Sequence, residues 1–131
     1  MSLNVVDSSG WLEYFSKGPN ADFFAPAITD GKSLLVPAVC VYEVCKVVRL
    51  RQGEQAAEEI AALMQQQGTG VPMAAALALS ASKLANSHGL AMADAMIAAT
   101  AQAFGATIWT QDSDFEGLPK VRFKAKPKVN P

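Results

Sequence analysis

The chain has 131 residues, half of them hydrophobic and 18% charged, which suits one folded domain with a real core and excludes a disordered chain. No apolar run reaches the roughly 18 residues of a membrane-spanning helix, and the N-terminus lacks the basic start and apolar stretch of a signal peptide, so a cytoplasmic protein without membrane contact is expected. The net charge of −1 divides unevenly: residues 1–119 hold 6 Lys/Arg against 12 Asp/Glu, whereas residues 120–131 hold 5 Lys/Arg and no acid.

Leu3-Asn4-Val5-Val6 reads as a short β-branched strand. Asp7-Ser8-Ser9 supplies helix-capping residues, and Trp11, Leu12, Tyr14 and Phe15 follow at helical spacing. Gly18-Pro19-Asn20 makes a turn, and Ala21 to Thr29 a second helix ended by Asp30-Gly31. Ser33 to Pro37 is another apolar strand. Residues 38–52 predict a helix apolar on nearly every side, closed at Gly53. Residues 54–67 predict an amphipathic helix, which Gly68-Thr69-Gly70 breaks. Val71-Pro72-Met73 predicts a brief strand. Helices follow over 74–87 and 92–104, stopped by His88-Gly89 and Gly105. Ala106 to Thr110 is a strand, Gln111 to Asp114 a turn, and Phe115 to Gly117 a short helical turn. Lys120 to Lys124 alternates charged and apolar residues like an edge strand leading into a basic tail. Short apolar strands alternating with helices predict a single α/β domain over 1–131, a three-layer α/β/α sandwich with a mainly parallel central sheet.

Cys40 and Cys45 lie five apart on one predicted helix and face different directions, so no disulfide is expected between them. Without a second Cys/His cluster, a zinc site is not expected either. His88 reads as a helix-end residue rather than a catalytic one.

Four acids are harder to place: Asp7, Glu43, Asp94 and Asp112. Burying a carboxylate costs several kcal/mol unless it is paired or binds a metal. Each has an ordinary reading: Asp7 as a helix cap, Glu43 as a partner of Lys46, Asp94 as the cap of a helix starting at Ala95, Asp112 as a turn residue. Asp114 has one too, as a cap at Phe115. Yet Asp7 and Asp112 each follow a predicted strand, and α/β sheets build their sites beyond the carboxyl ends of strands. Glu43 and Asp94 sit on helices able to lean over the same edge. Together the four would make an oxygen-rich pocket for a hard cation such as Mg²⁺ or Mn²⁺.

Four segments also resemble a known family: Val5-Val6-Asp7-Ser8-Ser9, Val36-Pro37-Ala38 through Tyr42-Glu43-Val44, Leu90 to Ala101 around Asp94, and Thr110 to Phe115. In this order they resemble PIN-domain ribonucleases, in particular the VapC-type toxins of toxin–antitoxin pairs. The resemblance implies a PIN-like fold and Mg²⁺- or Mn²⁺-dependent hydrolysis of RNA phosphodiesters. It implies Asp7, Glu43, Asp94 and Asp112 as catalytic, metal-binding acids, with Ser8 and Thr110 at supporting hydroxyl positions. Asp112 is favoured as the fourth acid, with Asp114 as its competitor or a supporting residue. A homodimer and a cognate antitoxin are implied as well. Lys46, Arg49 and Arg51, on or after the Glu43 helix, are candidate RNA contacts, and the basic tail is a phosphate contact, a solvated edge or a contact for an acidic antitoxin segment. Two other functions fit the same residues: phosphoryl transfer through an aspartyl-phosphate at Asp7, and a non-catalytic PIN-like binding module.

Overall fold

A computed structural model describes residues 2–128. Met1 and the last three residues of the expected domain and tail, 129–131, lie outside the described residues. Among the described residues the elements in chain order are β1 (Asn4–Val6), α1 (Ser8–Phe15), α2 (Ala21–Thr29), β2 (Leu34–Pro37), α3 (Ala38–Gln52), α4 (Glu54–Gln67), β3 (Thr69–Val71), α5 (Ala75–His88), α6 (Met92–Ala103), β4 (Thr107–Thr110) and β5 (Val121–Phe123).

The strands form one parallel sheet in the order β3-β2-β1-β4-β5. From β1 the chain winds outward to β2 and β3, then crosses back to β4 on the other side of β1. The direction of winding therefore reverses between β1 and β4, and ligand crevices open at such switch points, beyond the carboxyl ends of the strands. Val6 lies opposite Trp109 in the register. Trp109 meets Phe23 of α2 at 5.4 Å between ring centroids, so α1 and α2 cover this face. Val5 and Ile108, one residue earlier on each strand, point to the opposite face, against which α6 packs. The result is the expected three-layer α/β/α architecture.

The approach of α1 to the sheet depends on Gly10. A Cβ there would come within 2.6 Å of the Phe24 ring and 2.7 Å of the Val6 side chain, closer than any side chain tolerates. Trp11, Phe24, Ile28, Met64, Ile97, Ile108 and Phe115 fill the core.

Three expectations need correction. The third strand is Thr69–Val71, not 71–73. Gly70 pairs with Val36, and ladder hydrogen bonds to β2 override the local preference of a glycine-rich stretch for a turn. Helix α3 is not apolar all round: Cys40, Val44, Cys45 and Val48 are buried, while Tyr42 and Leu50 are 63% and 83% exposed. Finally, Asp94 does not cap a helix from Ala95, because α6 already begins at Met92.

Candidate active site

Asp7 stands one residue past β1, and its backbone N–H donates to the carbonyl of Trp109. Its side chain is almost fully buried and held on both oxygens. Oδ1 accepts from the Gly10 N–H at 2.9 Å, which caps α1. Oδ2 accepts from the Thr110 hydroxyl at 2.7 Å, and Ser9 Oγ lies 2.9 Å from each oxygen. The capping reading of Asp7 and the site reading are therefore compatible. Thr110 also accepts from the Asp112 N–H at 2.9 Å, so one buried hydroxyl fixes two of the acids.

Glu43 lies on the second turn of α3, where Ser8 Oγ donates to its Oε1 at 2.6 Å. The alternative pairing with Lys46 is not formed among the described residues. Asp94 occupies the first turn of α6, where the helix dipole favours negative charge. Asp112 caps the short helical turn Ser113–Phe115 through the N–H of Asp114.

These elements enclose a cleft of about 320 Å³ lined by Asp7, Ser8, Ser9, Glu43, Asp94 and Asp112, with Leu12, Tyr42, Lys46 and Val47 completing its wall. All four expected acids thus face one space, although 36, 51 and 18 residues separate them in sequence. Carboxylate oxygens of Asp94, Asp112 and Asp114 lie within 4.8 Å of one another. Asp94 and Asp112 belong to both groups. Asp114 is exposed and approaches from the rim.

Burial and crowding have an electrostatic consequence. Burial raises Asp7 to a pKa of about 6, against the lowering effect of its hydrogen bonds from Thr110, Gly10 and Ser9. Asp94 is likewise raised to about 6, first by burial and then by Asp112, Glu43 and Asp7. Lys46 is the single basic residue along the wall. Such a site needs positive charge. Its donors are all hard oxygens, the set that Mg²⁺, Mn²⁺ and Ca²⁺ prefer, so these residues fit a divalent cation.

The other expected contacts do not converge. Arg49 forms an exposed ion pair with Glu54 at 2.6 Å, and neither Arg49 nor Arg51 lines the cleft. In the basic C-terminal stretch, Lys120 Nζ donates to the Gly105 carbonyl at 2.8 Å, Arg122 stacks 4.3 Å over Trp109, and Lys126 lies 3.4 Å from Glu13. These contacts favour the edge-strand reading of the tail over free phosphate contacts. Ser9 is a residue the sequence reading missed. As a capping residue within the Val5–Ser9 segment it carries no site role, and its one signal is its place two residues after Asp7. Cys40 and Cys45 are both free and buried; burial pushes the Cys40 thiol far up, so it offers no nucleophile.

The sequence model of the PIN domain matches residues 5–121. The chain belongs to the PIN domain family. Among curated proteins none matches it. The PIN fold is also found in solved structures similar to it. One is a toxin–antitoxin complex from Klebsiella pneumoniae, 21% identical, with a TM-score of 0.74 over 91% of this chain and 95% of that one. A second is the Sarcin-Ricin loop cleaving toxin VapC20 of Mycobacterium tuberculosis, 19% identical, with a TM-score of 0.75 over 90% and 96%. A third is the DNA-bound VapBC of Salmonella typhimurium, 14% identical, with a TM-score of 0.71 over 97% and 100%. The PIN match runs from β1 to the first residue of β5 and so contains every acid of the cleft. No helix of the described residues is long and apolar enough to cross a membrane.

Proposed function

We propose that this PIN domain is a divalent-metal-dependent endoribonuclease, the toxin of a toxin–antitoxin pair, acting in the cytoplasm. The observation that carries the reading is the convergence of Asp7, Glu43, Asp94 and Asp112 on one cleft at the switch point of the sheet. Asp7, Asp94 and Asp112 would hold Mg²⁺ or Mn²⁺, with Asp114 supporting from the rim. When bound there, the cation supplies Lewis acidity toward the phosphoryl oxygen and an acidified water.

The protein's own groups prepare that chemistry. Thr110 and Ser9 fix both oxygens of Asp7, so its carboxylate presents one orientation. Ser8 does the same for Oε1 of Glu43, leaving Oε2 to orient the attacking water. Leu12 and Val47 give the wall an apolar stretch. The same restraint on Asp7 argues against an aspartyl-phosphate enzyme, because a nucleophilic carboxylate needs an oxygen free to attack. A non-catalytic module would have no use for carboxylates held together where burial raises two of their pKa values.

Toxin function and an antitoxin partner are supported by the likeness to a structure described as a toxin–antitoxin complex; a homodimer is part of the same proposal. A groove lined by Ala78, Ala81, Ala85 and Met92 between α5 and α6, with Leu79 63% exposed beside it, offers apolar surface for a second copy. The function is tested by incubating RNA with the protein in Mg²⁺, in Mn²⁺ and in chelator, with DNA of equal sequence as control. Fragments of the RNA are expected with either cation and none with chelator. Cleavage that survives the chelator, or no cleavage in any condition, would overturn the proposal.

A further inference from the structure

Among the described residues Tyr42 makes no side-chain hydrogen bond and no aromatic contact. Its ring is 63% exposed. The aromatic contacts among the described residues join Trp11, Tyr14, Phe15, Phe23, Phe24 and Trp109 and leave Tyr42 out. Yet Tyr42 immediately precedes Glu43 on α3 and forms part of the cleft wall. Lys46, one turn further along the same helix, is also exposed and lines the same cleft.

We infer that Tyr42 is a stacking platform for one nucleobase of the bound RNA and that Lys46 receives the adjoining phosphate. The inference rests on the ribonuclease reading of the cleft and adds to it the residues that seat the substrate. Four carboxylates repel a phosphodiester, so the cleft needs attraction of another kind. An aromatic face supplies it without regard to charge or sequence, because every base has a π-face. An ammonium beside it offsets the acids where the backbone passes. Of the other basic candidates, Arg49 is held by Glu54, Lys126 by Glu13 and Arg122 by the Trp109 ring, and Arg51 does not line the cleft. Lys46 has no such partner among the described residues. A base reaching Tyr42 must leave its own stack, so the ring selects an unpaired nucleotide beside the scissile bond.

The test combines binding and turnover. An oligoribonucleotide carrying 2-aminopurine is titrated with Asp94→Asn protein that carries Tyr42, Tyr42→Phe or Tyr42→Ala. The same oligonucleotide is cleaved by the single variants in Mn²⁺. Tyr42→Ala is expected to weaken binding and raise KM by about tenfold, the loss of one base stack, with little change in kcat. Tyr42→Phe should recover most of that loss and should quench 2-aminopurine, which Tyr42→Ala should not. Lys46→Met should weaken binding and flatten its salt dependence. Leu50→Ala, on the same helix but away from the cleft, serves as the control that changes neither.

Wild-type cleavage together with unaltered binding and KM in Tyr42→Ala would overturn the inference while leaving the ribonuclease standing. So would a Tyr42→Ala protein that fails to self-associate in sedimentation yet binds RNA normally, since the ring would then face protein. A wild-type protein that does not cleave RNA at all would remove both proposals together.

Discussion

Asp7 does two jobs that pull in opposite directions. As the cap of α1 it stabilises the fold through the Gly10 N–H; as a buried carboxylate beside Asp94 and Asp112 it destabilises it. Thr110 mediates between the two. Replacing Thr110 with Val removes the donor to Asp7 and the acceptor for Asp112, leaving buried polar groups unsatisfied at a cost of about 1–3 kcal/mol. Urea unfolding should show that loss, and cleavage should fall with it; a variant as stable as the wild type would mean that Thr110 does not hold the acids. The raised pKa values make a second prediction. Asp7 and Asp94 keep their protons up to about pH 6 in the fold, against an ordinary value of 3.8. Between these limits the folded protein holds more protons than the unfolded chain, so metal-free stability falls as pH rises through that window. A divalent cation binds the ionised forms, so its stabilising effect grows over the same range. Melting temperatures in chelator and in Mn²⁺ should therefore differ more at pH 7 than at pH 5. An equal difference at both would contradict the assignment.

At the scale of elements, α1 is joined to the end of the sheet by a polar network that sequence did not disclose. Glu13 is 3% exposed, accepts from the Asn20 N–H at 2.8 Å and faces Lys126. Asn20 Nδ2 in turn reaches Gln111 Oε1 and the carbonyls of Lys124 and Ala125, at 3.2–3.3 Å. The turn after α1 thus anchors both the chain beyond β5 and the residue next to Asp112. Gly18 makes room for it: a Cβ there would lie 2.4 Å from Glu13 Oε1. Gly18→Ala should cost about 1–3 kcal/mol by overpacking, whereas Lys126→Ala should cost under about 1 kcal/mol because the lysine is half exposed. Denaturant midpoints that place the two in the opposite order would refute this account of the network. Glu13 was invisible because an acid between Leu12 and Tyr14 reads as the polar side of an amphipathic helix, and nothing local announces Asn20 as its partner. The helices over 21–29, 38–52 and 54–67 were legible, since Gly31, Gly53 and Gly68 marked their ends. The strand at Thr69–Val71 was not, because its stability comes from β2 and not from its own residues.

At the scale of the molecule, what sequence could not provide was the strand order. Asp7 and Asp112 converge because β1 and β4 are neighbours at the switch point, and that adjacency is written in no single segment. The short motifs around the four acids pointed to the right fold, and the fold then explains why residues so far apart meet. The surface charge needed structure too. The five basic residues after Leu118 read equally as a nucleic-acid contact or as a solvated edge; three of them are engaged within the protein, while Lys46, one residue in a mixed helix, lies at the cleft. The most direct measurement is the single-turnover rate of RNA cleavage in Mn²⁺ by wild type and by Asp94→Asn, with circular dichroism to confirm an intact fold. Loss of a metal-holding carboxylate should slow the reaction by at least about 100-fold. A folded Asp94→Asn protein that cleaves at the wild-type rate would contradict the account.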